Sequence, residues 1–97
     1  MPAYVSLLNW TEQGIKNAKD TVNRAQAGRE TWKAAGGRLI GIWWLQGAYD
    51  AVVITEAPDD ETQMRLLIQL GQAGNVRTTT MRAFGEEEMA RIVAGLS

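Results

Sequence analysis

The fold class this chain predicts is a two-layer α+β sandwich with a βαββαβ core and one further helix at the carboxy end. Three observations carry it. Strand-like and helix-like hydrophobic periods alternate along the 97 residues. Gly, Pro or a capping residue stands at most changes of period. The second and third strand-like segments are apolar at both parities, as strands covered on both faces need to be. No Pro- or Ser-rich linker interrupts the chain, so residues 1–97 are expected to form one domain.

The first strand is Tyr4 to Trp10, short, aliphatic and aromatic. Thr11 follows as an N-cap, because its hydroxyl can accept from the orphan amides of the next turn. Apolar residues then recur at Ile15, Ala18, Val22, Ala25 and Trp32, which is helical spacing; Arg29 interrupts the stripe with a stem that still covers apolar surface. Asp20-Thr21 can cap the chain again, so a bend or short break is expected near Lys19. Gly36-Gly37 suits the left-handed turn that ends a helix. Arg38 to Gln46 is too short and too rich in branched and aromatic residues for a helix and reads as the second strand, after which Gly47-Ala48-Tyr49-Asp50 turns the chain. Ala51 to Glu56 is the third strand.

Ala57-Pro58-Asp59-Asp60-Glu61 opens the next helix, since Pro fits a first turn and carboxylates are favoured at the positive end of the dipole. Met64, Leu67, Ile68 and Gly71 are its expected buried face. Asn75 to Phe84 alternates threonines with Val76, Arg77, Met81 and Arg82 and reads as the fourth strand. Gly85-Glu86-Glu87-Glu88 starts a last helix whose Met89, Ile92, Val93 and Leu96 share one face. This order is the ferredoxin-like arrangement: an antiparallel sheet with the first and third strands central, the second and fourth at the edges, and two helices on one face.

The chain has no His and no Cys. Ser-His-Asp and Cys-His catalysis, an imidazole base, the usual zinc sites and structural disulfides are therefore excluded. The acidic runs Asp59-Asp60-Glu61 and Glu86-Glu87-Glu88 lie at helix starts, where neighbours splay instead of converging on one ion, so neither a metal nor another cofactor is expected. Ten Lys and Arg are dispersed against 11 Asp and Glu, which leaves no basic stripe for nucleic acid. The amino terminus lacks a cationic leader, and the longest strongly apolar run, Leu39 to Leu45, falls far short of the roughly 20 residues that span a bilayer. A cytoplasmic protein with no membrane partner is expected.

Two helices cover one sheet face and leave the other bare. In the second strand Leu39, Gly41, Trp43 and Leu45 form one parity and Ile40, Ile42, Trp44 and Gln46 the other, so Trp43 and Trp44 point to opposite faces. The third strand repeats the pattern, with Val52 and Ile54 against Ala51 and Val53. An apolar face of that size on a monomer is sticky, and a second copy of the sheet is its expected cover, giving a homodimer or higher homo-oligomer. The competing expectation is that the last helix folds over the open face of its own sheet.

Particular segments carry a further resemblance: Tyr4 to Asn17 at the front, Gly47-Ala48-Tyr49-Asp50-Ala51-Val52-Val53 in the middle, Glu56 to Glu61, and Gly74-Asn75-Val76-Arg77-Thr78 with Arg82-Ala83-Phe84 near the end. Together they resemble the GYD domain proteins, small bacterial proteins of ferredoxin-like, dimeric α/β-barrel type. Gly47, Tyr49 and Asp50, with Ala48 interposed, correspond to the family's signature. The resemblance implies the fold and leaves the function open.

Chemistry singles out the candidate site residues. Tyr49 and Asp50 either cap the turn or line the mouth of a pocket between sheet and helices, where a phenol and a carboxylate can bind a small ligand. Trp10 beside Asn9 at a strand end can form an aromatic site, and Arg77 is a lone cation beside hydroxyls, able to hold an anion or simply to solvate an edge strand. The sheet face around Tyr4, Ser6 and either Trp43 or Trp44 is the expected interface or shallow pocket; Trp32 reads as core. The leading expectation is a self-associating, non-catalytic protein that assembles or binds a small ligand. The alternative is a small cofactor-free enzyme for an aromatic or apolar substrate, with Tyr49, Asp50, Asn9 and Arg77 as its polar groups.

Overall fold

A computed structural model describes all of residues 1–97. The elements are β1 (Ala3–Trp10), α1 (Glu12–Lys16), a 3-10 turn (Ala18–Asp20), α2 (Thr21–Ala34), β2 (Arg38–Trp44), β3 (Ala51–Glu56), α3 (Asp60–Gln72), β4 (Val76–Ala83) and α4 (Glu86–Ala94). The four strands are all antiparallel in the order β2-β3-β1-β4, with β1 and β3 central. This is the expected ferredoxin-like sandwich, including the additional helix.

The first helical stretch breaks at Asn17 and again before Thr21, near the expected place, but Asp20 does not cap α2: its carboxylate accepts from the Asn23 side chain at 3.0 Å and makes no capping bond to the helix backbone. Thr11 caps α1, its Oγ1 accepting from the Gly14 amide at 3.1 Å. The same residue ties α1 to the turn before β4: its amide donates to the Asn75 carbonyl at 3.1 Å and its hydroxyl to the Gly74 carbonyl at 2.5 Å. Gln13 Nε2 adds bonds of 3.0 Å to the Ala73 carbonyl and to Asn75 Oδ1. Gly14 makes this approach possible, because a Cβ there would lie 1.9 Å from the Asn75 oxygen.

The registers assign every strand residue to a face. Tyr4 stands opposite Thr55 and Arg82, Ser6 opposite Val53 and Thr80, and Leu8 opposite Ala51 and Thr78, all on the side of the helices. Leu8, Ala51, Val53 and Val76 form the buried core there, with Trp10, Leu39, Ile42 and Leu70 packed against them. Val5, Leu7, Val52, Ile54 and Met81 take the other face.

In β2 the strict alternation fails. The pairing shifts between Leu39 and Gly41, so that Leu39 faces Thr55 while Gly41 faces Ile54. Ile40 is the extra residue of this bulge, and one added residue inverts the parity of the residues before it relative to those after it. Leu39, Ile42 and Trp44 consequently share the helix side, and Gly41 and Trp43 the open side, in place of the two expected sets. Gly41 leaves room for its neighbour: a Cβ there would meet the tip of the Trp43 ring at 2.7 Å, and the exposed ring would have to shift.

The helices also depart from a purely apolar reading. The buried residues of α3 are Gln63 and Leu66, while Met64 and Ile68 are exposed. Gln63 turns inward because its Oε1 accepts from the indole Nε1 of buried Trp32 at 3.0 Å, which fixes the helix rotation. α2 packs over β2 and α3 over β4, so the two helices stand apart above the centre of the sheet. α4 does not fold over the open face: Met89, Ile92, Val93 and Leu96 are all exposed, and the helix is tied back by the 2.8 Å ion pair between Glu88 and Arg82.

Candidate functional site

The sheet separates two candidate sites. On the open side, Val5, Leu7, Val52 and Ile54 form a half-buried apolar centre, extended by Trp43 at 55% exposed and Met81 at 45%. Polar residues occupy its corners. Arg38 pairs with Glu56 at 2.5 Å at one end, and Asn9 stands opposite Arg77 at the other. Apolar centre and polar rim together have the anatomy of a protein interface.

On the helix side, the gap between α2 and α3 forms a cavity of about 360 Å³ over the centre of β1 and β3. Its walls are mainly apolar, with Leu8, Val53, Leu39, Ile42, Leu66 and Leu70 among them. Trp44 closes one side, held by a 3.0 Å hydrogen bond from its indole Nε1 to Thr21 Oγ1 on α2. Asp50 reaches the cavity near Trp10, whose amide donates to Asp50 Oδ2 at 2.9 Å. Two hydroxyl side chains contributed by the strands also line it. Ser6 bonds Thr80 at 2.8 Å, while Thr55 Oγ1 is buried with no hydrogen-bond partner in the protein.

A third cluster sits at the end of the sheet nearest the start of α3. The Tyr4 phenol donates to Asp60 Oδ1 at 2.5 Å, and Arg82 lies over both the Tyr4 and Phe84 rings. Burial, then the hydrogen bond to the Asp60 carboxylate, push the Tyr4 phenol up to about 12. Glu88 is held below the usual carboxylate range, chiefly by its hydrogen bond from Arg82. Asp59 is also lowered, because it caps α3 by accepting from Thr62.

The expected site residues are thus dispersed. Trp10 and Asp50 meet at the helix-side cavity, while Asn9 and Arg77 face the opposite side. Tyr49 is half-buried in the turn outside the cavity lining, so the four polar candidates for an enzyme do not converge. Tyr4 and Ser6, 5% and 4% exposed, lie under the helices and not on the open face, because the inward parity of β1 begins at Tyr4. Of the tryptophan pair, Trp43 belongs to the open face and Trp44 to the cavity. Thr55 and Gln63 escape a reading by hydrophobic period; the available signal for Thr55 is a hydroxyl at the inward parity of an otherwise apolar strand. No cluster of three or more acidic side chains that could hold a metal ion is present, and no helix is long and apolar enough to cross a membrane.

The family model of the GYD domain matches residues 4–93. The chain is 29% identical over 84 residues to the glutamine synthetase and cystathionine beta-lyase binding protein of Thermus thermophilus, covering 86% of this chain and 88% of that one. Among solved structures it is similar to TTHA0845 from Thermus thermophilus, with a TM-score of 0.54, 24% identity and coverage of 88% and 95%. It is also similar to MtbAldR, with a TM-score of 0.69 and 15% identity over 88% of this chain, but it spans only 54% of that protein's length. These two likenesses show the shared fold.

Proposed function

The chain belongs to the GYD domain family, and from that premise we propose that it is a non-catalytic binding protein whose copies pair through the uncovered sheet face. The observation that carries this reading is the apolar centre of that face, with Val5, Leu7, Trp43, Val52 and Ile54 left without cover by any element of the same chain. An exposed apolar patch of several hundred Å² is unfavourable on a monomer, and stacking on a second sheet removes it from water. The corners favour the same occupant. Arg38 and Glu56 neutralise one another, and the remaining polar groups stand at the rim, where they stay hydrated in a two-fold pair. A binding role is supported by the Thermus thermophilus relative, which is named for binding two enzymes.

Light scattering coupled to size exclusion at micromolar concentration tests the pairing. The expected species has at least twice the 10.7 kDa mass of the protomer. Trp43→Glu places a charge on the apolar face of both copies, beside its centre, and is expected to give a folded monomer. A wild-type protein that elutes as a 10.7 kDa species refutes the reading.

A further inference from the structure

We propose that the cavity between the helices and the sheet is a binding site for a neutral, largely apolar small molecule of bicyclic size carrying one hydroxyl or carbonyl group, with the Thr55 hydroxyl as its polar anchor. The site lies on the opposite side of the sheet from the pairing face, so the proposal stands independently of it.

Three features point there. The cavity's volume of about 360 Å³ falls in the range of small-molecule sites, and it sits where a well-packed fold would close its two helices over the sheet centre. Its lining is apolar and aromatic except for a few polar groups, which is the composition of a pocket that binds by burial and orients by one or two hydrogen bonds. Thr55 is 2% exposed and lines the cavity, and its Oγ1 is shielded and without a partner, which costs free energy; a turn about χ1 brings the hydroxyl to a ligand oxygen in the cavity and relieves that cost.

The neighbours set the ligand's charge. The Arg24 guanidinium is engaged by the Asn17 and Gly14 carbonyls at 2.8 and 3.3 Å, and the Asp50 carboxylate accepts from the Trp10 amide. In the sheet Thr55 stands between Leu39 and Tyr4, and the charged groups beyond Tyr4 are already engaged, Asp60 by the Tyr4 phenol and Arg82 by Glu88, while the other inward residues, Ser6, Leu8, Ala51 and Val53, carry no charge. A neutral group is therefore what the floor accepts. A threonine hydroxyl both donates and accepts, so an alcohol and a ketone fit equally.

Naphthol and the methylnaphthalene of the same substitution pattern, matched in shape, provide the test in ligand-observed NMR titrations at neutral pH. The wild-type protein is expected to bind naphthol about fivefold more tightly, the value of one neutral hydrogen bond. Thr55→Val keeps the shape and removes the hydroxyl. It is expected to abolish that preference while leaving the unfolding midpoint unchanged or raised, because a buried orphan group is gone. Gly28→Leu serves as a second variant. A Cβ at Gly28 meets nothing within 4 Å and the residue lines the cavity, so the leucine side chain fills it and both probes lose binding in a folded protein. Equal affinity of the two probes for the wild type, binding that survives Gly28→Leu, or no saturable binding of either probe overturns the proposal.

Discussion

The contact between α1 and the turn before β4 sets a glycine against a backbone carbonyl, and it makes Gly14→Ala and Gly28→Ala opposite in sign. In solvent-exposed helix both substitutions gain about 1 kcal/mol from helix propensity. At Gly14 the new Cβ begins 1.9 Å from the Asn75 oxygen, and ordinary contact starts at 3.4 Å, so the turn must retreat by about 1.5 Å. That movement carries the Asn75 and Gly74 carbonyls out of reach of Thr11, whose two bonds contribute about 1 kcal/mol each. The exposed Gln13 bonds add a few tenths of a kcal/mol. The balance is a net loss of about 1.5 kcal/mol for Gly14→Ala, against a gain of about 0.5 to 1 kcal/mol for Gly28→Ala, where no atom lies within 4 Å. Urea unfolding followed by circular dichroism separates the two variants on either side of wild type. If Gly14→Ala matches or exceeds wild-type stability, the docking of α1 on residues 73–75 does not constrain the fold as argued.

Two further outcomes are expected. The folded Tyr4 phenol titrates at about 12 against an ordinary 10.0, so the folded state keeps a proton that the unfolded chain releases. This contribution is fully present below pH 10 and is lost as pH rises through the interval up to about 12. Urea midpoints across that interval should fall more steeply for wild type than for Tyr4→Phe, and parallel curves would contradict the assignment. Arg38 is 65% exposed in its ion pair with Glu56, so Arg38→Ala should cost less than about 1 kcal/mol in the same unfolding assay; a loss several times larger would show that this corner is more than a solvated pair.

The legible parts of the fold are those written in period and punctuation. Thr11 as a cap, the break before Thr21, the central places of β1 and β3 and the approximate limits of all four strands derive from local chemistry. The features that escape such a reading depend on partners distant in sequence. The bulge at Ile40 is set by how β2 seats on β3, and it reassigns Leu39 to the face of Trp44. The rotation of α3 is set by Trp32 reaching Gln63 across 31 positions, which no hydrophobic pattern in α3 records. At the site level, Trp10 and Asp50 are legible as residues of a pocket, whereas Thr55 is hidden because a strand propensity reading treats Thr as an ordinary strand former.

α4 has a consequence for how the molecule opens. Its nine residues fall below the roughly 12 to 15 at which an isolated helix holds itself together, and none of its residues is buried. Its apolar residues are already about half exposed, and unwinding it gives up its own backbone bonds and one ion pair but none of the buried core, so it stands at the low end of the molecule's local stabilities. The sheet and its cavity do not depend on it. Backbone amides from Glu86 onward therefore exchange with solvent through fluctuations far smaller than global unfolding, while those of β1 and β3 wait for the whole sheet to come apart.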